Sequence, residues 1–109
     1  MSSHSFTMFS PTLNCDADIC VGYDSAASEP FLSFESEVLD YMSHGKQDLA
    51  QVKALAMDKL GIELPAVIIT AVECDIVDTR MGLGAEVNRR SRQYEALAIA
   101  PRGASALLA

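Results

Sequence analysis

The longest β-type run of the chain lies between Pro65 and Thr79, PAVIITAVECDIVDT. Val67, Ile68, Ile69, Val72, Ile76 and Val77 are β-branched, a side-chain type that fits a pleated, packed surface. The first half of the run is apolar on both faces, as a covered strand is. The second half alternates, with Val72, Cys74 and Ile76 on one side and Glu73 and Asp75 on the other. This pattern predicts the central strand of the fold. A straight strand of that length would span about 45 Å, against a radius of gyration of about 13 Å for a domain of this size. The strand is therefore expected to bend or bulge near Glu73–Asp75, or to project as one arm of a hairpin. Acids on its open face would guard it against edge-to-edge pairing.

The remaining pattern supplies the elements around it. Met1–Ser5 reads as a frayed start, and Ser5–Leu13 as a short strand with Phe6, Met8 and Leu13 inward, confined to an edge by Pro11. Asn14–Asp18 has turn composition, and Ile19–Tyr23 returns as a second strand, so the two form a hairpin. A polar loop, Asp24–Pro30, follows. Ser33 or Ser36 then fits a helix N-cap, with Glu35 and Glu37 in the first turn and Phe34, Val38, Tyr41 and Met42 on one helical face. His44–Gly45 interrupts that pattern, with His44 as a residue at the helix end. A second helix, 47–60, carries Leu49, Val52, Leu55, Ala56 and Leu60 inward and ends at Gly61, with Ile62 folding back and Pro65 preventing a restart. A single kinked helix is the alternative to the pair 34–43 and 47–60. Arg80–Glu86 reads as a loop. Tyr94–Ala100 reads as a strand pairing antiparallel with the central run, or else as an extended helix. The expected fold is a small α+β domain in the order ββααββ, an antiparallel sheet with two helices on one face. It occupies residues 1–100, with 101–109 as a flexible C-terminal tail.

Composition narrows the class. The chain of 109 residues is 50% hydrophobic and 21% charged, which is the balance of a folded globule rather than a disordered chain. Aromatics make up 6% and Trp is absent, so the core rests on aliphatic side chains. A core this small gains from a paired subunit, and a homodimer would supply one. No apolar run is long enough to span a membrane, and MSSHSFTMFSP lacks the basic start and apolar centre of a signal peptide. A cytoplasmic protein is expected. The three cysteines, Cys15, Cys20 and Cys74, are an odd number and fit reduced thiols.

Charge adds more than its net value of −7. Residues 1–45 hold no Lys or Arg but carry Asp16, Asp18, Asp24, Glu29, Glu35, Glu37 and Asp40. The lysines (Lys46, Lys53, Lys59) sit mid-chain, and the arginines (Arg80, Arg89, Arg90, Arg92, Arg102) lie C-terminal to them.

The reactive residues form no recognisable catalytic or cofactor motif. Cys15, Cys20, Cys74 and His4 lack the spacing of a zinc knuckle, and Asp16-x-Asp18 lacks the Gly and Glu that complete a calcium loop. No metal or cofactor is expected. Cys74 sits between Glu73 and Asp75, whose charge disfavours a thiolate. Gly82-x-Gly84 lacks the third glycine of a dinucleotide site. Two features remain. Arg89, Arg90 and Arg92 could hold a phosphate or carboxylate, or pair with the chain's own acids. The acidic block would attract a basic surface.

The expected function is a non-enzymatic protein-binding module, a small acidic inhibitor or adaptor docking on a basic partner such as a nucleic-acid-processing complex. Asp16, Asp18, Asp24, Glu29, Glu35, Glu37 and Asp40 would steer it, with Phe31 or Leu32 as apolar anchor. Direct nucleic-acid binding is disfavoured by the acidic balance. The alternative is a small dimeric domain, or an enzyme, holding an anionic ligand through Arg89, Arg90 and Arg92. A purely structural subunit of a larger assembly is the third class.

Overall fold

Alternating apolar and polar positions in the first third of the chain do form strands. The computed structural model describes residues 1–43 and 45–95. Strands β1 (Ser3–Ser10), β2 (Cys15–Asp24), β3 (Glu29–Ser36) and β4 (Tyr41–Met42) come first, followed by helices α1 (Leu49–Leu60), α2 (Ala66–Arg80) and α3 (Gly84–Val87), and then strand β5 (Ser91–Gln93). The sheet order is β4-β3-β2-β1-β5. Neighbours are antiparallel except β5, which runs parallel to β1. The molecule is thus an α+β domain with a mixed sheet. One face of that sheet is covered by helices.

The covered face carries Phe6, Ile19, Val21, Leu32 and Phe34, each 2% exposed or less. Against them pack Val52, Ala56 and Leu60 of α1 and Ile68 and Val72 of α2, all wholly buried. Side chains of this size contribute about 1.5–3 kcal/mol each on full burial, so this layer is the main source of stability.

Two sequence expectations hold. The β1–β2 hairpin forms, pairing Phe6 with Ile19 and His4 with Val21. Helix α1 has the expected end, with Gly61 in the left-handed region (φ 70°) and Ile62 buried beyond it. Its start is a capping box: Asp48 accepts from the Gln51 amide at 2.8 Å and the Gln51 side chain accepts from the Asp48 amide at 2.8 Å.

The central run is the main correction. Residues 66–80 form α2, not a strand. The Pro65 carbonyl accepts from the amides of Ile68 and Ile69 at 3.0 and 3.1 Å and opens the helix. As a helix the segment is about 22 Å long and fits the domain that a strand of twice that length would overrun. Strand propensity favours Val and Ile by less than about 1 kcal/mol per residue, which burial of Ile68 and Val72 on the sheet outweighs.

The expected helix 34–43 is likewise absent, because Glu29–Ser36 is strand β3. Ser36 does accept from main-chain amides two and three residues on, Val38 at 3.2 Å and Leu39 at 2.9 Å, as an N-cap would. Here those bonds close the β3–β4 turn. The turn expected at 14–18 is also shorter: Asn14 (φ 57°) ends it and β2 begins at Cys15. Met1–Ser5 is not frayed, since Ser2 is wholly buried and β1 starts at Ser3.

The sheet consequently gains strands before the helices, and the order ββααββ gives way to ββββαααβ. The last described strand, 91–93, was not expected and pairs parallel with β1; the central run that Tyr94–Ala100 was expected to join is helical. The expectations for His44, for most of Tyr94–Ala100 and for the tail 101–109 lie outside the described residues.

Gly22 is where the packing is tightest. A methyl group there would collide with the Ser2 carbonyl oxygen and come within 2.8 Å of the Phe31 ring. Gly22→Ala is expected to destabilise the fold by about 2 kcal/mol. A urea midpoint equal to that of the parent chain would contradict this packing.

Candidate functional site

The uncovered face of the sheet collects most of the acidic block. Residues paired across a ladder share a face, so the register maps it. One row reads Gln93, Ser5, Cys20, Ser33, Met42; the next reads Thr7, Asp18, Glu35; and Phe9 pairs with Asp16 beyond it. Toward the other end Gly22 pairs with Phe31 and Asp24 with Glu29. Asp16, Asp18, Asp24, Glu29, Phe31 and Glu35 therefore project from one surface. Strands β1 to β4 contain no Lys or Arg to neutralise it. Lys46 lines a cavity with Glu29 at one margin.

Asp18 and Glu35 are directly opposed in the β2–β3 ladder, an arrangement that costs stability when both are ionised. The Thr7 hydroxyl donates to Asp18 Oδ1 at 2.7 Å and fixes that carboxylate. Beside the two acids lies a trough of about 390 Å³, lined also by Ser5, Cys20, Ser33 and Gln93. Exposed apolar groups flank the acids: Phe9 and Met42 are 51% and 50% exposed and Phe31 is half-buried.

The other predicted contact residues fall elsewhere. Leu32 is wholly buried in the core and is not available as an anchor. Glu37 and Asp40 lie in the β3–β4 turn, where Asp40 accepts from the Ser36 amide at 3.2 Å. Phe9, Met42 and Thr7 were missed as members of the face; only the strand register places them there.

A second constellation lies behind the sheet. Asp75 is 1% exposed and its carboxylate is fully engaged. Oδ2 accepts from Ser2 Oγ at 2.6 Å and from His4 Nε2 at 2.7 Å, and Oδ1 accepts from Arg90 Nη1 at 2.9 Å. An ionised carboxylate has no hydrogen to give, so Nε2 is the protonated nitrogen of His4. Nδ1 then faces the Tyr94 hydroxyl at 3.4 Å. Arg90 also reaches Asp78 at 2.7 Å. Ser2 completes the cluster, accepting from the Tyr23 amide at 2.9 Å. Burial by itself would raise the Asp75 carboxyl, but hydrogen bonds from His4, Ser2 and Arg90 outweigh it and hold the group below its ordinary range. The two carboxylates push the Arg90 guanidinium upward.

The arginine triple is therefore divided. Arg90 is turned inward to Asp75 and Asp78. Arg92 lies over the Tyr94 ring, 4.6 Å from its centroid, and Arg89 is exposed. A cleft of about 480 Å³ remains between β5 and α2, lined by these arginines with His4, Cys74 and Tyr94. No group of three His, Cys, Asp or Glu positioned to hold a metal occurs among the described residues. No helix among them is long and apolar enough to cross a membrane.

Asp75→Asn is expected to lower stability at neutral pH by about 3 kcal/mol, because Arg90 loses its buried counter-charge. The folded state depresses this carboxyl, so its contribution is complete above about pH 4. It is lost as pH falls through the lower folded value, and the two proteins should converge in acid. Superimposable stability curves from neutral to acid pH would show that the carboxylate contributes nothing. The chain matches no protein-family model, no curated protein and no solved structure.

Proposed function

We propose that this protein is a non-enzymatic docking module whose uncovered sheet face receives a basic segment of another protein, in the manner of an inhibitor or adaptor. The observation that carries this reading is the direct opposition of Asp18 and Glu35 on strands β2 and β3, which, like β1 and β4 beside them, hold no Lys or Arg. Two like charges held together without a counter-ion weaken the free chain. A Lys or Arg side chain placed between them relieves that repulsion on binding. Phe9, Phe31 and Met42 provide apolar contact around the acids, and Asp16, Asp24 and Glu29 extend the field that steers encounter. A basic surface of a nucleic-acid-processing complex is one partner of the right chemistry.

One observation favours a second reading. The cleft beside Tyr94 concentrates guanidinium groups in a chain of net charge −7, and a phosphate or carboxylate held there by Arg89 and Arg92 would make this a ligand-binding domain. A thermal shift with inorganic phosphate that disappears in Arg92→Ala would support it.

The docking reading makes two predictions. Glu35→Lys alone is expected to stabilise the free chain by about 0.5 kcal/mol at low salt, since it turns an opposed repulsive pair into an attractive one. A lower urea midpoint would argue against the repulsion. The paired reversal Asp18→Lys with Glu35→Lys should abolish retention of a Lys/Arg-rich peptide and of any nuclease-resistant protein prey. Asp58→Lys, on α1 behind the sheet, should leave both intact. Equal loss in the two variants would mean that net charge alone is at work and would defeat the proposed face.

A further inference from the structure

Helix α2 is apolar on both sides, and only one side is used. Ile68, Val72 and Asp75 pack toward the sheet. On the opposite side stand Val67, Thr70, Cys74, Val77 and Met81. Their spacing alternates three and four residues, the repeat that makes a continuous seam along a helix. Val67, Val77 and Met81 are 41%, 54% and 75% exposed, and Leu83 just beyond is 43% exposed. A monomer gains nothing from such a seam.

The charges beside the seam identify what covers it. Glu73 precedes Cys74, and Arg80 precedes Met81, so both flank the seam on the same side, two turns apart. On the other flank lies Asp78, held by Arg90. In a parallel pair of α2 helices, Glu73 would face Asp78 of the second copy, like against like. In an antiparallel pair the same-side flanks meet, and Glu73 faces Arg80 of the second copy. The two-fold axis repeats the contact, so each helix both gives and receives an ion pair. The same alignment sets Cys74 against Val77 and Thr70 against Met81, and brings Val67 to the loop that carries Leu83.

We infer that α2 is the interface of a two-fold symmetric homodimer in which the helix pairs antiparallel with its copy. This goes beyond the docking face and does not depend on it. Because the seam lies on the side of α2 away from the sheet, the dimer leaves both uncovered sheet faces outward. A helix about 22 Å long gives an interface near the lower limit of specific ones, so association in the micromolar range is expected.

Sedimentation velocity of the full chain from about 1 to about 100 μM tests this. The mass should rise from 11.7 kDa to twice that value. Val77→Glu should hold it at the monomer value with unchanged circular dichroism, because Val77 is exposed and outside the core. Glu73→Arg should weaken the dimer at least about tenfold by setting Arg against Arg, and adding Arg80→Glu to the same chain should restore it. In a Cys15→Ser, Cys20→Ser background, a short bismaleimide should link Cys74 to Cys74 of the second copy. A monomer at the highest concentration overturns the inference. So does a dimer that survives Val77→Glu and Glu73→Arg unchanged, since its interface would lie elsewhere.

Discussion

The fold depends on one buried carboxylate. Asp75 arrives on α2, Ser2 just ahead of β1, His4 on β1, and Arg90 on the segment between α3 and β5, and all meet at its two oxygens. A carboxylate enclosed this deeply is tolerable only when every lone pair that matters is occupied. The cluster therefore does more than hold two charges together. It fixes the extreme N-terminus against α2, and through Ser2 it bonds to Tyr23 in β2. It also sets where the chain after α3 returns to the sheet, so that β5 can add to the free edge of β1. A segment of three strand residues has little hold of its own. The ion pairs of Arg90 and the bond from the Tyr94 amide to the Ser5 carbonyl at 2.6 Å pin it on both sides.

That arrangement divides the charge of the molecule. Arg90 is spent inside, and the cations of α1 and of the segment after α2 lie behind or beside the sheet. The front face keeps carboxylates with neutral neighbours. Sequence polarity has thus become spatial polarity, which it need not have done: had the arginines folded over β2 and β3, the two blocks would have cancelled. The opposed pair Asp18 and Glu35 is the sharpest mark of this separation. Nothing in packing requires acids there, because Ser5, Thr7 and Ser33 show that small neutral residues suit the same surface.

The legible parts of the sequence were those set by local chemistry. Gly61 after Leu60 stops a helix whatever surrounds it, and the alternation through Phe6 and Ile19 pairs two strands close in sequence. The illegible parts were decided at long range. Ser36 makes the amide contacts of an N-cap in either a helix or a tight turn, and only the pairing of β3 with β2 selects the turn. The run 65–79 has strand-forming residues at helical spacing, and the sheet it packs on determines which property prevails. Its length against the domain's size was the one warning available. Once it is helical, Ile68, Val72 and Asp75 fall at i, i+4 and i+7 on one face. An acid on a buried face demands a cation and donors, and that demand points to Arg90 and His4. The candidate site was legible in part for the same reason. The acids were visible as a block, but Phe9, Thr7 and Met42 join them only through strand register, and Leu32 leaves them because its neighbour Phe31 takes the outward position.

Sheet and helix together suggest why so small a chain should be two-faced. A single flat acidic surface on a domain of this size offers few anchors, and electrostatic steering raises encounter rates more than it slows dissociation. Pairing through α2, as inferred above, would place two such surfaces back to back on one particle without using any residue of either. A partner with repeated basic segments would then meet the second surface at high effective concentration, which would strengthen binding by about two to four orders of magnitude without a new contact. The device works only if the helix seam and the sheet face are on opposite sides. The helix meets this condition, since Asp75 is buried toward the sheet while Cys74 and Val77 on the other side are exposed.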